Sequence, residues 1–323
     1  MIKTKKEYKF IYNPHAGEKR KILPGTYLVT LDDVKALLKK YQIEVDYVAT
    51  KHAGHATELA KNAIKEGYHT VLIAGGDGSV SEAANGLVGS DITLGIIPMG
   101  SAMNIAKMLS VPTEMEKAVE LIKIGRKRKI DAGMITKLED EKLNKPDYFF
   151  ETVGIGLDAL IQKEFKNFEA GKFLSIIKII KIFINFYRKK VTLKTDDEEI
   201  TTKATVISIA NGPITGAHLL LAPDAKLNDH RLTITLYPMS KFDLFKYFLR
   251  MKVEGKIDKR KLKVIQTKKV TVTSKHPITL HADATVFSKT PAVIKIVPNA
   301  VNFICGFPDV DDIALKSRTE LDP

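Results

Sequence analysis

The sequence predicts an α/β protein in two parts: an N-terminal doubly wound, parallel-sheet domain, then a C-terminal, mainly antiparallel, β-rich domain. Three observations lead there. Up to Leu109, short apolar runs alternate with stretches of helical spacing, the pattern of strand–helix–strand units. Beyond the basic run Arg126-Lys127-Arg128-Lys129, strand-like runs dominate. Three turns, at 13–17, 75–79 and 100–101, fall after predicted strands, at the carboxyl edge where parallel sheets bind ligands.

The elements follow in order. Tyr8-Lys9-Phe10-Ile11-Tyr12 reads as a strand that stops at Asn13-Pro14-His15-Ala16-Gly17, a turn with two breakers. Residues 32–41 have helical spacing, 44–49 alternate as a strand, and 55–66 read as a helix. The apolar run 70–74 leads into Gly75-Gly76-Asp77-Gly78-Ser79-Val80, and 81–87 read as the first turns of a helix. Strand 92–97 is broken by Pro98-Met99-Gly100-Ser101, after which 102–109 start another helix. Strands joined by helices of this length imply right-handed crossovers and a parallel sheet covered on both faces.

In the second part, 148–153, 191–195, 204–210, 231–237, 268–274, 278–282 and 292–297 read as strands. The expected domains are 1–130, completed by the apolar-then-acidic end 301–323, and 131–300. One helix, 173–188, is unusual. Ser175, Lys178, Lys181, Asn185 and Arg188 form a narrow stripe on an otherwise apolar cylinder. So wide an apolar face calls for a protein core or a membrane interface, and burial against the second domain's sheet is the expected outcome.

Composition narrows the class. At 323 residues, 44% hydrophobic and 28% charged, the chain is an ordinary globular one with room for two cores. The single Cys305 excludes a disulfide framework and a cysteine zinc site, which points to a reducing cytoplasm. No signal-peptide core or membrane-spanning run is present. The net charge of +13 favours anionic partners. The basic clusters show no aromatic interleaving and no finger or zipper spacing, so nucleic acid is not expected. An anionic membrane surface is the expected partner, and the sequence leaves a homodimer open.

The Gly75–Ser79 stretch carries the chemistry. A strand running through glycines into a helix places bare backbone N–H groups where a phosphate can sit. Gly75, Gly76, Gly78, Ser79, Gly100, Ser101 and Asn13 are the candidate phosphate-binding residues, with Asp77 joining them through a cation. Asp77 repels phosphate unless a cation intervenes, so its task is to hold a metal or the loop itself. Taken alone, GGDG also fits a tight strand-to-helix turn with Asp77 as N-cap.

These residues resemble the soluble lipid kinases built on the diacylglycerol kinase catalytic domain, a family that includes sphingosine and ceramide kinases. Asn13-Pro14-x-Ala16-Gly17, Gly54-His55-Ala56, Gly75 to Val80 and Gly95-x-x-Pro98-x-Gly100-Ser101 are similar to its motifs in order. Gly154-x-Gly156-x-Asp158-Ala159, Asn211-Gly212 with Gly216, and Ala222-Pro223-Asp224-Ala225 continue the series. The resemblance implies ATP and Mg²⁺, a lipid substrate with a reactive hydroxyl, and a peripheral place on the membrane. It implies a metal role for Asp229 and catalytic roles for Asp283 and Asp77; on bare sequence Asp229 is also an ordinary turn residue.

The departures are specific. Where the family's Asp-Gly-Glu ends in its general base, this chain has Asp283-Ala284-Thr285, and a Thr hydroxyl is no carboxylate near neutrality. After Ser101, where the family has x-Asn-Asp-x-Ala, this chain has Ala102-Met103-Asn104-Ile105-Ala106, which puts an apolar side chain in place of an Asn, and His230-Arg231 follow Asp229. Three readings stay open: a lipid kinase using Asp283, His281 or water as base; a nucleotide- or lipid-binding relative with little activity; or another GGDG kinase, of NAD or of fructose phosphate. The ordered second-domain motifs argue against the last.

Overall fold

The structure is a computed structural model, and it describes residues 6–16, 30–100, 102–138, 147–169, 174–216, 219–254, 257–283 and 285–307. Ser101, Phe173 and the acidic end beyond 307 lie outside these. The described residues form two compact units, one of 6–132 with Gly216 and 298–307, the other of 133–215 and 219–297.

The first unit runs β1 (Tyr8–Tyr12), α1 (Leu31–Lys40), β2 (Val45–Ala49), α2 (His55–Glu66), β3 (Thr70–Gly75), α3 (Asp77–Leu87), β4 (Thr93–Pro98), α4 (Asn104–Met108), α5 (Met115–Ile124) and the start of β5 (Arg126–Lys137). Strands β2, β1, β3 and β4 pair in parallel in that order. Every residue of β3 and β4 is buried, as expected for continuous apolar strands covered on both faces. Helix α1 begins at a capping box, Thr30 and Asp33 bonding reciprocally to each other's N–H groups.

The second unit continues with β6 (Asp147–Phe149), β7 (Thr152–Gly156), α6 (Leu157–Glu169), α7 (Ser175–Asn185), β8 (Val191–Lys194), β9 (Glu199–Thr202) and β10 (Val206–Ala210). Then come β11 (Leu232–Tyr237), α8 (Lys241–Glu254), β12 (Lys263–Thr267), β13 (Lys269–Ser274), β14 (Thr279–Ala282), β15 (Thr285–Lys289) and β16 (Ala292–Cys305). One antiparallel sheet has the order β12-β11-β10-β7-β14-β15. Facing it, β9 pairs with β8, β8 with β13, and β13 with the first part of β16. Leu193, Ile207, Ile209, Ile234, Val272, Leu280 and Ile294 fill the space between the two sheets. On the outer face, Leu157, Tyr237, Leu244 and Tyr247 form a second core with residues of α6, α7 and α8. The last part of β16 joins the first unit, Asn302 and Phe303 pairing in parallel with Thr93 and Leu94.

Several elements differ from the sequence reading, each for a physical reason. The strand expected over 148–153 is two, because the N–H groups of Phe150, Glu151 and Thr152 all turn to the Asp283 carboxylate instead of a neighbouring strand. Helix α3 begins inside the GGDG segment, with Gly76 rather than Asp77 at the N-cap. The helix expected over 102–109 is the short α4, bounded by Met103 and Ser110 at φ 55° and 58°. Helix α7 meets the core along one side only, through Ile182 and Phe183, and its other side is exposed. No helix among the described residues is long and apolar enough to cross a membrane.

Candidate functional site

In the first unit the carboxyl ends of β1, β3 and β4 bring three turns together. Asn13 N–H donates to the Ala74 carbonyl at 3.1 Å, and Met99 N–H to that of Gly75 at 3.0 Å. Asn13 Oδ1 takes the N–H of His15 at 2.9 Å, closing an Asx turn. Gly76 and Gly100 pack backbone on backbone: a Cβ at Gly100 would lie 2.5 Å from Gly76 Cα. A Cβ at Gly75 would strike Ser79 Cβ at 2.6 Å. Gly78 is different, with open space around the position of its missing Cβ.

Behind this surface, α3 starts with no side-chain cap, so its first N–H groups are presented at the positive end of the helix dipole. Asp77 Oδ1 accepts the Ile105 N–H at 3.0 Å, which ties α3 to α4 and fixes Asp77 as a brace of the loop. Asn104 Nδ2 donates to the Gly216 carbonyl at 2.8 Å. Lys107 stands in the field of Asp77; burial pushes its ammonium pKa down, and Asp77 opposes that. The sequence reading missed Lys107, a lone Lys in an apolar turn. Ser101 lies outside the described residues.

In the second unit Asp283, at φ 43°, collects three backbone donors. Oδ2 takes the Phe150 N–H at 2.7 Å, and Oδ1 takes those of Glu151 at 2.8 Å and Thr152 at 3.2 Å. Both oxygens therefore hold the 150–152 turn. Glu151 lies on that turn, 4% exposed, its carbonyl accepting the N–H groups of Asn211 and Gly212, both at 3.0 Å. Asn211 Nδ2 bonds the Phe150 carbonyl at 3.1 Å. Sequence reading passed over Glu151; the available signal was an acid set in the apolar run Phe149-Phe150-Glu151-Thr152-Val153. Thr285 begins β15, paired with Ala282. Asp229 Oδ1 accepts the Arg231 N–H at 3.0 Å, an Asx turn that fixes where its carboxylate stands.

The Gly154-x-Gly156-x-Asp158 stretch has a physical explanation. Asp158 Oδ2 bonds His281 Nε2 at 2.8 Å, and His281 is 1% exposed. A Cβ at Gly154 would lie 2.1 Å from Asp158 Oδ2 and 2.2 Å from His281 Nε2, so only glycine admits the pair. Gly156 has φ 96°, a conformation side chains resist.

His52, His55 and Glu58 cluster closely enough to hold a metal ion. His55 Nδ1, however, accepts the Lys51 N–H at 3.0 Å. That leaves the proton on Nε2, so the His55 ring braces the loop before α2 and offers a metal no lone pair.

Comparison with known proteins gives a consistent result. The diacylglycerol kinase catalytic domain matches residues 7–135, and the YegS C-terminal NAD kinase beta sandwich-like domain matches 151–305. The diacylglycerol kinase of Staphylococcus saprophyticus is 25% identical over 292 residues, covering 89% of this chain and 91% of its own. That of Staphylococcus aureus strain bovine RF122 is 27% identical over 301 residues, covering 89% of each. A crystal structure of a Bacillus anthracis diacylglycerol kinase shares the fold, with a TM-score of 0.70 at 20% identity over 93% of this chain and 97% of that one.

Proposed function

Because the chain belongs to the diacylglycerol kinase catalytic-domain family, we propose that it transfers the γ-phosphoryl group of Mg²⁺–ATP to the hydroxyl of a diacylglycerol-like lipid. The observation that carries this reading is the Gly76–Gly100 contact beside the uncapped start of α3. Backbone approach this close leaves a surface of N–H groups with no side chain over it, which suits a chain of phosphates. Asn13, Gly75, Gly76, Gly78, Ser79, Gly100 and Ser101 bind the nucleotide, Lys107 adds positive charge, and Asp77 braces the loop. Mg²⁺, when bound, offsets phosphate charge and prefers carboxylate and water ligands, and Asp229 is the residue assigned to it.

The proton of the acceptor hydroxyl needs a base. Asp283 has both oxygens committed to the 150–152 turn, which favours a positioning role for it. Glu151, on that same turn, is pinned through its N–H and its carbonyl. We assign proton acceptance to Glu151 in place of the carboxylate missing at Thr285. The replacement at 285 also favours a second reading, a nucleotide- or lipid-binding relative with weak or no transfer.

The test is transfer from labelled ATP to mixed micelles of diacylglycerol, sphingosine, ceramide and phosphatidylglycerol, with and without Mg²⁺. A labelled diacylglycerol product that requires Mg²⁺ is expected. No labelled lipid, with nucleotide binding intact, would overturn the kinase reading in favour of the binding protein.

A further inference from the structure

Helices α7 and α8 lie against each other in the second unit and share one exposed apolar surface. Phe183 of α7 meets Phe242 and Phe245 of α8 edge-on, with ring centroids 5.5 Å and 6.2 Å apart. Lys241, at the start of α8, donates to the Ile184 carbonyl and, at 3.2 Å, to that of Phe186, capping the end of α7. Arg188 adds a bond to the Pro238 carbonyl at 2.9 Å. The two helices are thus tied at several points.

Their inward sides pack on the outer core, but their outward sides do not. Ile177, Ile180 and Ile184 follow one another at helical spacing on α7, and Phe242, Phe245 and Leu249 do so on α8. All six are more than half exposed, Ile177 at 62% and Phe245 at 61%, and Leu174, Ile176 and Tyr187 extend the surface. At roughly 200 Å² for each large apolar side chain, these nine present on the order of 1,000 Å² of apolar surface. The largest patch on a soluble monomer is about 300–600 Å².

The charge around the patch identifies what it meets. Lys178 and Lys181 each follow an exposed isoleucine by one residue on α7, and Lys246 and Arg250 do the same after Phe245 and Leu249 on α8. Beside α8, Lys246, Arg250, Lys259, Arg260 and Lys261 line an open groove with Asp243 and Asp258, a net positive set in which Asp258 pairs with Arg260 and Lys261, and Lys259 pairs with Asp224. An apolar stripe flanked by cations with long stems is the arrangement of interfacial helices, whose lysines reach up to headgroups while the apolar face enters the acyl boundary. We propose that the α7–α8 pair is the face by which this protein docks on an anionic bilayer surface. The surface carries this inference by itself; the lipid kinase reading adds only that the substrate is found there.

The experiment is co-sedimentation of the full chain, without nucleotide, with vesicles of phosphatidylcholine alone or with phosphatidylglycerol. Wild-type binding is expected to rise with phosphatidylglycerol and to fall with salt. The double variant Ile180→Glu/Leu249→Glu changes only exposed positions. It should bind roughly 10- to 100-fold more weakly, since two large apolar contacts are lost, with its melting temperature unchanged. Lys178→Glu/Lys246→Glu should abolish the preference for phosphatidylglycerol. Variants that bind as wild type does overturn the proposal. So does a wild-type chain that ignores vesicles and forms a dimer which the same substitutions dissolve. Transfer to a short-chain, water-soluble diacylglycerol, measured without vesicles, reports on the kinase reading separately.

Discussion

Three glycines of the first unit separate a role in folding from a role in ligand binding. Gly100→Ala places a Cβ 2.5 Å from Gly76 Cα and 2.7 Å from Met103 Sδ. The thioether can swing aside and the backbone cannot, so the β3 and β4 turns must part. Overpacking of this kind costs about 1–3 kcal/mol, and a domain of this size loses roughly 2–8 °C of melting temperature per kcal/mol. Gly78→Ala should do the reverse. Nothing lies within 4 Å of its Cβ position, and it sits in the first turn of α3. Alanine in place of a helical glycine stabilises by about 0.5–1 kcal/mol. If phosphates approach the start of α3, however, that methyl group stands where they must lie. The expected outcome for Gly78→Ala is a melting temperature raised by a few degrees with Mg²⁺–ATP affinity at least ~10-fold weaker, about 1.4 kcal/mol. Thermal unfolding and titration calorimetry on the same preparation read both quantities. A Gly78→Ala variant that is more stable and binds nucleotide as wild type does would refute the phosphate cradle and leave a turn that only folds the chain.

The second unit offers three further tests, and Cys305 of the first unit a fourth. Gly154→Ala forces apart the buried His281–Asp158 pair; urea unfolding should show about 2–4 kcal/mol lost, and a loss under ~1 kcal/mol contradicts the packing argument. Asp283→Ala removes the acceptor of three N–H groups and should cost at least about 2–3 kcal/mol. Glu151→Gln keeps the backbone bonds of the turn and should lower turnover roughly 10²–10⁴-fold, with Thr285→Glu recovering part of it; wild-type turnover in Glu151→Gln would remove Glu151 from the chemistry. Burial pushes the Cys305 thiol up from its ordinary value of 9.0 to about 12. The folded state therefore keeps the proton that the unfolded state releases, and stability falls between pH 9.0 and about 12 by up to ~1.4 kcal/mol per pH unit. Cys305→Ala should flatten urea midpoints measured just above pH 9.0, and an unchanged slope would locate the titration elsewhere.

Much of the first unit was legible because its signals are local. β3 and β4 are continuous apolar runs, and Gly, Pro and Asn punctuate their ends. What escaped depends on contacts distant in sequence. The break between β6 and β7 is made by Asp283, more than a hundred residues away, and no periodicity within 147–156 announces it. Helix α8 mixes Phe242, Phe245 and Leu249 with lysines on its exposed side, so its apolar spacing marks no single face and hides the helix. The Gly154–Asp158–His281 arrangement was visible as a motif, but the reason for its glycine appears only when β7, α6 and β14 come together. The short strands β9 and β12 lie beside Lys- and Glu-rich turns that mask their alternation.

Two carboxylates that meet at one turn carry different weight as evidence for chemistry. Asp283 must be an acceptor for the 150–152 turn to exist, because three N–H groups there have left the β-ladder for its oxygens. Its presence is explained by folding alone and says nothing about catalysis. Glu151 is the reverse case. Its N–H donates to Asp283 and its carbonyl accepts from Asn211 and Gly212, bonds of the backbone that any residue would make. A carboxylate with 4% exposure is costly to bury. Proton acceptance, the role proposed for Glu151, is what Glu151→Gln tests, because the amide keeps the backbone bonds of the turn and gives up the base.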